Sequence, residues 1–419
     1  MWSNWSRGQS CAPAEHVRPA TRAELSEAVA RGRAVRVAGA GHSFSGVVPT
    51  DGTLLSLDRL DRVLDVDRDS GLVRAEAGIR LHRLVRELHA HGLALPNLGD
   101  IDAQSLAGAL VTGTHGTGRK LGNLATSVEA MELVLADGSE LTVDSGDELR
   151  GARIGLGALG VVAAVTLRCV PAFRLHAVDR PLPLDDVLGE LDRHVDGNDH
   201  FELFTFPHSP IALTRTNNRS DSAPSPRRPR REWLQDVVLD NHVFGLLNRV
   251  ARRAPKTIPT LNRLAGRSAS QRERVADSFD IFASPRLVRF EEMEYALPRE
   301  HAVEAMRAAR QILERYPVSF PIELRFSAGD DALLSPAHAR DSAYVAVHVY
   351  EGMSYDAPFR EVEAVMAEWG GRPHWGKRSF LSAAELAPRY PRWADFAAIR
   401  ERLDPDGRFV NAWARQTLL

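Results

Sequence analysis

Apolar positions in the first 170 residues recur with two periods. Leu81, Leu84, Val85 and Leu88 fall three and four apart, one face of a helix that Gly92 ends. Thr21 and Glu24 form a capping box opening a second helix that runs to Arg31, where Gly32 stops it. Around these helices, short apolar runs read as strands: Val35 to Val37, Leu54 to Leu57, Leu72 to Ala75, Met131 to Leu135 and Val161 to Leu167. The alternation predicts one α+β unit closing near Val170-Pro171. Beyond residue 271 the pattern tightens again. Val303, Met306, Ile312 and Leu313 share helical spacing after Pro298, and Ile322 to Phe326 and Tyr344 to Tyr350 alternate as strands, which predicts a sheet-based cap. The stretch from Asn217 to Gln271 between them is rich in arginine, proline and serine, most basic at Pro226 to Arg231. It reads as a solvated loop, with recruitment of an anionic partner as the alternative.

Glycines punctuate the strand ends. Arg36-Val-Ala-Gly-Ala-Gly-His-Ser-Phe-Ser45 and Thr112-Gly-Thr-His-Gly-Thr-Gly118 each place a histidine beside glycines that let backbone N–H groups approach a pyrophosphate. Phe44 stands where a Rossmann fingerprint needs its third glycine, so the first loop is not that motif. Gly155 to Gly160 is a third glycine-rich turn leading into a strand.

Composition narrows the class. At 419 residues the chain exceeds the roughly 250 to 300 at which single cores stop growing, so two domains sharing a site are expected. With 53 basic against 55 acidic residues there is no field to gather a polyanion, and nucleic acid is not implied. Two cysteines, Cys11 and Cys169, exclude a disulfide framework and suit a reducing compartment. No run approaches the ~20 apolar residues of a membrane span, and a cytoplasmic protein is expected.

In the second half two strands carry polar faces. Glu323 and Arg325 lie two apart, so one face bears both while Ile322, Leu324 and Phe326 pack the other; likewise His348 and Tyr350 oppose Val345, Val347 and Val349. Each pair alone also suits a salt bridge or a satisfied sheet histidine; two in succession point to a cavity wall. Arg372-Pro-His-Trp-Gly-Lys-Arg378 is a turn that brings Lys377 near His374, placed to meet an anion or hydroxyl. Neither an HExxH set nor a GxSxG elbow is present, so no metal site and no serine hydrolase is predicted.

Taken together, Gly39 to Phe44, Pro96-Asn-Leu-Gly-Asp100, Gly108 to Gly118, Arg372 to Lys377 and Asp404 to Asn411 resemble the aldonolactone and alditol oxidase branch of the vanillyl-alcohol-oxidase flavoproteins. Trp2-Ser-Asn-Trp5 and Asp196 to Phe201 are similar to its gulonolactone group. The resemblance covers nearly the whole chain. It implies an α+β fold: a two-subdomain, PCMH-type FAD module over residues 1–172, completed by 378–419, and a cap of antiparallel sheet with flanking helices over 173–377. It implies FAD held by Gly39, Ala40, Gly41, His42, Ser43, Phe44, Gly99, Asp100, Ser105, Gly108, Thr112, Gly113, Thr114, His115, Val162, Arg325 and Lys377, with a covalent flavin link through His42 and a structural or ring-contacting His115. The implied reaction passes a hydride from a hydroxyl-bearing carbon to flavin N5. Arg325 would stabilise negative charge on the flavin, Glu323 and Lys377 hold substrate hydroxyls, and His348 accept the proton. Asp100 and Tyr350 replace a serine and a threonine of alditol oxidases. They favour a sugar 1,4-lactone of the L-gulono or D-arabinono type over an alditol such as xylitol or sorbitol or a secondary-metabolite alcohol. Gly99 stands where related dehydrogenases carry an oxygen-blocking alanine, so oxygen or another acceptor, a cytochrome or quinone, is expected to take the electrons. The reading from a different class is a catalytically idle nucleotide-binding module.

Overall fold

The computed structural model describes residues 1–226 and 241–419. Its N-terminal part is built on two main sheets, beside the two-stranded pairs Trp2–Ser3 with Ser10–Cys11 and Leu93–Ala94 with Val170–Pro171. In the smaller, Glu15–Val17, Thr53–Ser56 and Arg36–Ala38 run parallel, with Thr53–Ser56 central. The larger is antiparallel, in the order Glu140–Val143, Val128–Val134, Val161–Arg168, Leu72–Glu76, Val63–Asp67. The helices Arg22–Arg31 and Leu81–Ala90 lie where the sequence places them, and their buried residues Leu25, Ala28, Val29, Leu81, Leu84, Val85 and Leu88 join one core with the sheets. The Thr21 hydroxyl accepts from Glu24 N–H, so the capping box is half of what starts the first helix.

The second part is one eight-stranded antiparallel sheet, in the order Arg272–Asp277, Arg174–Pro183, Ile211–Ser220, His200–Thr205, Ile322–Ser327, Ser342–Tyr350, Phe290–Pro298, Arg372–Pro373. Strict alternation divides it into two chemically distinct faces. Phe201, Leu203, Ile322, Leu324, Phe326, Val345, Val347, Val349, Met293, Tyr295 and Leu297 point into a second core with the helices Ala302–Leu313 and Asp356–Glu368. At a rough 1.5–3 kcal/mol for each buried large side chain, this face fixes the register. The intervening positions are polar on strand after strand: Arg215, Glu202, Glu323, Arg325, His348, Glu292 and Glu294. Every one except Arg215 is less than a tenth exposed.

The stretch from Asn217 to Gln271 is not a solvated loop throughout. Residues 217–220 finish the strand Ile211–Ser220, and two helices follow at Phe244–Arg253 and Ile258–Ser268. The apolar-stripe reading misses them because their buried faces carry Gly245, Asn248 and Ala251, and Ile258, Asn262 and Gly266. The most basic run, 227–231, lies outside the described residues.

The chain end returns to the beginning. Phe409, Val410, Ala414 and Leu418 enter the first core, Val35 N–H donates to Arg408 O, and Asn411 Nδ2 donates to the carbonyls of Gly46 and Pro49.

Candidate active site

A cavity opens where the strand Arg36–Ala38 ends. Gly39, Ala40, Gly41, His42, Ser43, Ser105, Gly108, Thr112 and Val162 line it, joined by Arg36, Gly78, Arg80, Gly157 and Gly160. Close backbone approach is what the glycines provide. A Cβ on Gly78 would stand 1.8 Å from Leu57 O, one on Gly39 2.2 Å from Ser105 Oγ, and Gly41 sits at φ +72°. Arg36 is the residue that sequence reasoning passed over. Its buried guanidinium donates to Val47 O at 2.8 Å, Phe409 O at 2.7 Å, Leu156 O at 2.9 Å and Gly157 O at 3.0 Å. Burial lowers its pKa to about 10, so it stays charged at neutral pH. Its hydrogen bonds go to these four carbonyls, and the charge of Asp404 acts on it without a hydrogen bond between them. A cavity crowded by Cβ-free backbone, with a cation at its wall, fits a dinucleotide pyrophosphate.

His42 lies at the lip of this cavity, stacked on Trp5 at 5.6 Å. Burial first, then the charges of Arg80 and Lys377, lower its pKa to about 4. It is therefore a neutral imidazole with a lone pair to give.

Phe44, Gly99, Asp100, Gly113, Thr114, His115, Arg325 and Lys377 stand outside that lining. Asp100, Arg325 and Lys377 belong to a buried ionic wall instead, built on the polar face of the eight-stranded sheet. Arg325 Nε donates to Glu202 Oε2 at 2.8 Å, its Nη2 lies 3.4 Å from Asp100 Oδ2, and the same nitrogen stands in close contact with Glu323 Oε1. Arg286 Nη2 holds Asp100 from the far side at 2.7 Å. Glu202 continues to Arg215 at 3.4 Å, and Arg215 to Asp179 at 2.7 Å. Burial opposes the Asp100 charge, but Arg325 and Arg286 outweigh it and hold the carboxyl well below its ordinary range. For Glu323 the balance reverses. Burial, joined by the charges of Asp100, Glu202 and Glu294, overrides the pull of Arg325 and pushes the carboxyl well up, leaving it able to donate a hydrogen bond.

Lys377 completes the wall. Its Nζ lies 2.5 Å from Glu292 Oε1 and 4.0 Å from Glu294 Oε2, and these carboxylates raise its pKa against the burial that would lower it. Glu292 also faces His348 Nε2 at 3.5 Å, while His348 Nδ1 donates to Pro321 O at 3.0 Å. The order Glu292 opposite His348 and Glu294 opposite Ala346 follows from strand register. Tyr350 leaves the ionic wall for an aromatic cluster with Phe44, Phe290 and Phe320, so it bounds the site rather than charging it. Phe44 serves from the same cluster: its ring lies 5.4 Å from Lys377 Nζ, and its N–H donates to Gly376 O.

His115 stacks on Tyr344 at 3.7 Å, with Nε2 3.2 Å from Glu294 and Nδ1 2.8 Å from Gly116 O. With His374 it forms a trio of ligand-type atoms within 4.8 Å, a grouping invisible in sequence spacing. His374 Nδ1 accepts from Gly376 N–H at 3.0 Å, which puts its proton on Nε2, and Lys377 stands beside Glu294. Both features suit a hydrogen-bonded brace better than a cation site.

Comparison with known proteins identifies the family. Residues 165–417 match the D-arabinono-1,4-lactone oxidase family model, and residues 13–144 match an FAD binding domain. The chain is 46% identical over its whole length to L-gulono-1,4-lactone dehydrogenase of Mycobacterium tuberculosis, covering 99% of that protein. It is 34% identical to mouse L-gulonolactone oxidase over 99% of this chain and 97% of that one. Alditol oxidase of a Streptomyces species is 36% identical over 99% of this chain and 98% of its own length. In fold, cholesterol oxidase from B. sterolicum superposes with a TM-score of 0.83 at 17% identity, covering all of this chain and 96% of that structure. The cavity, the wall beside it and these matches over nearly every residue have one reading: the chain belongs to the D-arabinono-1,4-lactone oxidase family and is an FAD-dependent oxidoreductase.

Proposed function

We propose that the protein oxidises a hydroxyl-bearing carbon of a sugar 1,4-lactone, of the L-gulono or D-arabinono type. The observation that carries this reading is the convergence of Asp100, Glu323, Arg325, His348 and Lys377 beside the neutral His42 at the cavity lip. FAD, when bound, supplies the hydride acceptor. Gly39 to Ser43, Ser105, Gly108, Thr112 and Val162 would hold it with Arg36, and His42 is proposed as its covalent tether. The chain's own groups do the rest. His348 spends Nδ1–H on Pro321 O, so the lone pair of the neutral ring is at Nε2, the atom that takes the hydroxyl proton. Glu292 at 3.5 Å stabilises the cation that results. Lys377 and a protonated Glu323 donate to substrate oxygens, and Arg325 supplies fixed positive charge, whose loss in such sites costs about 3–4 kcal/mol.

Lactone is favoured over alditol by Asp100, which Arg286 and Arg325 hold charged, and by Tyr350, whose ring stacks on Phe320 at 6.2 Å and narrows the site. For the electron acceptor, oxygen, a cytochrome and a quinone remain in play. A Cβ on Gly99 would meet His115 O at 3.3 Å and Thr114 Cγ2 at 3.4 Å, so an alanine there is tight, and this chain keeps the smaller residue. Among the described residues no helix is long and apolar enough to cross a membrane, and a cytoplasmic site of action is proposed.

Anaerobic bleaching of the flavin absorbance across a panel of lactones and alditols tests the substrate. Bleaching by a 1,4-lactone is expected, and bleaching by alditols alone would overturn the lactone reading. Peroxide formed against cytochrome reduced during turnover assigns the acceptor. Flavin colour kept in acid-precipitated protein and lost from His42→Ala tests the tether; loss from both removes it.

A further inference from the structure

The helices Phe244–Arg253 and Ile258–Ser268 are folded with their chemistry reversed. Inward they turn mainly asparagine and small residues, with Phe244 and Ile258 at their starts. Asn248 Oδ1 accepts from Ser319 Oγ at 2.6 Å, and Asn262 Nδ2 donates to Val318 O at 3.0 Å, so both helices lie over the same short segment. Outward they turn leucine and valine: Val243 is 40% exposed, Leu246 55%, Val250 43% and Leu264 60%. Leu287, whose N–H donates to Asn241 Oδ1 at the foot of the first helix, adds 55%. Among the described residues only eight large hydrophobic side chains are exposed; five are these, and two of the remaining three are the chain ends. Scattered exposed leucines need no explanation, but a concentration on one structural unit does.

The charge around them is as one-sided. Residues 241–268 contain Arg249, Arg252, Arg253, Lys256, Arg263 and Arg267 and no aspartate or glutamate, in a chain whose acids outnumber its bases. All six of these cations are exposed. Exposed apolar side chains interleaved with cations on short helices that lie flat on a protein body match the interface between acyl chains and acidic headgroups.

We propose that this helix pair docks the enzyme on an anionic lipid surface. The position gives the contact a use. On the inner side of the first helix, Phe244 packs on Phe320 at 4.9 Å, and Phe320 packs on Tyr350 and His348. Arg286, one residue from Leu287, bonds Asp100. The lipid-facing unit and the rim of the active site are therefore one piece of structure.

Flotation of the FAD-loaded enzyme with phosphatidylcholine vesicles, with and without phosphatidylglycerol, tests this. The enzyme is expected to float with the anionic vesicles, to stay behind with phosphatidylcholine alone, and to be released as salt rises. Leu246→Glu with Leu264→Glu should weaken partitioning at least about tenfold while turnover with a soluble dye acceptor stays at the wild-type rate. Wild-type enzyme that ignores anionic vesicles overturns the proposal. Binding that survives the double substitution overturns it too. So does a dimer in gel filtration that the double substitution splits, which would give the face to a second copy of the chain.

Discussion

The ion pair between Lys377 and Glu292 invites a quantitative test. The two side chains are 19% and 6% exposed and their charged atoms lie 2.5 Å apart. At an effective dielectric of about 20, unit charges about 4 Å apart attract by about 4 kcal/mol. Breaking such a buried pair from one side costs about 3–5 kcal/mol, mostly because the remaining charge is stranded. The lysine keeps Glu294 at 4.0 Å as a neighbour, which argues for the low end. Glu292→Gln and Lys377→Met should therefore each cost about 3 kcal/mol, and the double variant about 3 rather than about 6, since neither charge is then left alone. Urea unfolding followed by far-ultraviolet circular dichroism, at neutral pH and one saturating FAD concentration, measures all four corners. A double variant that costs the sum of the singles refutes the reasoning, because the two groups would then not be sharing their burial.

Three further outcomes follow from the geometry. Arg36→Met should cost at least about 3 kcal/mol and most of the bound flavin, since it orphans buried carbonyls of Val47, Leu156, Gly157 and Phe409; Arg36→Lys should recover little, because an ammonium cannot reach all four. Retained flavin in Arg36→Met speaks against the cation as cofactor ground. Gly78→Ala forces a Cβ onto the Leu57 and Leu60 carbonyls, which no rotamer relieves, so a loss of about 3 kcal/mol or more is expected, while Gly189→Ala, with nothing within 4 Å, should be silent. His374 is lowered to about 3 by burial, below the ~6.5 of an unfolded chain. Below pH 6.5 the unfolded state then takes up a proton the fold refuses, so stability is flat above that pH and falls beneath it by up to about 1.4 kcal/mol per unit. A melting temperature that drops between pH 6.5 and 5, and drops less in His374→Asn, is the expected result; a flat one contradicts it.

Much of the wall was legible because strands write in period two. Glu323 with Arg325, and His348 with Tyr350, alternate with residues that reached the core, and that alone marks a polar face. Glu292 and Glu294 obey the same rule against Met293, Tyr295 and Leu297, but the adjacent Glu291 blurs the alternation into an acidic run. Glu202 and Arg286 carry no local signal at all. Their meaning comes from Arg325 and Asp100, 123 and 186 residues away in sequence. Arg36 was read as part of a strand, which it is. That its guanidinium holds together three distant turns depends on where Phe409 comes to rest. The helices Phe244–Arg253 and Ile258–Ser268 were hidden for the opposite reason: their pattern is amphipathic, with the apolar side facing outward.

The return of the chain end to Arg36 and to the 46–49 turn has a bearing on biosynthesis. Arg36 and Phe409 are 373 positions apart, and Asn411 closes on carbonyls that left the ribosome some 360 residues earlier. The strands and glycine loops that face the cofactor are thus synthesised first and finished last. Without the 404–411 segment the cavity has its walls but lacks the carbonyl that steadies its cation. A chain cut before Phe409 is therefore expected to keep every site residue named above and lose its flavin, which the absorbance of the purified protein reads.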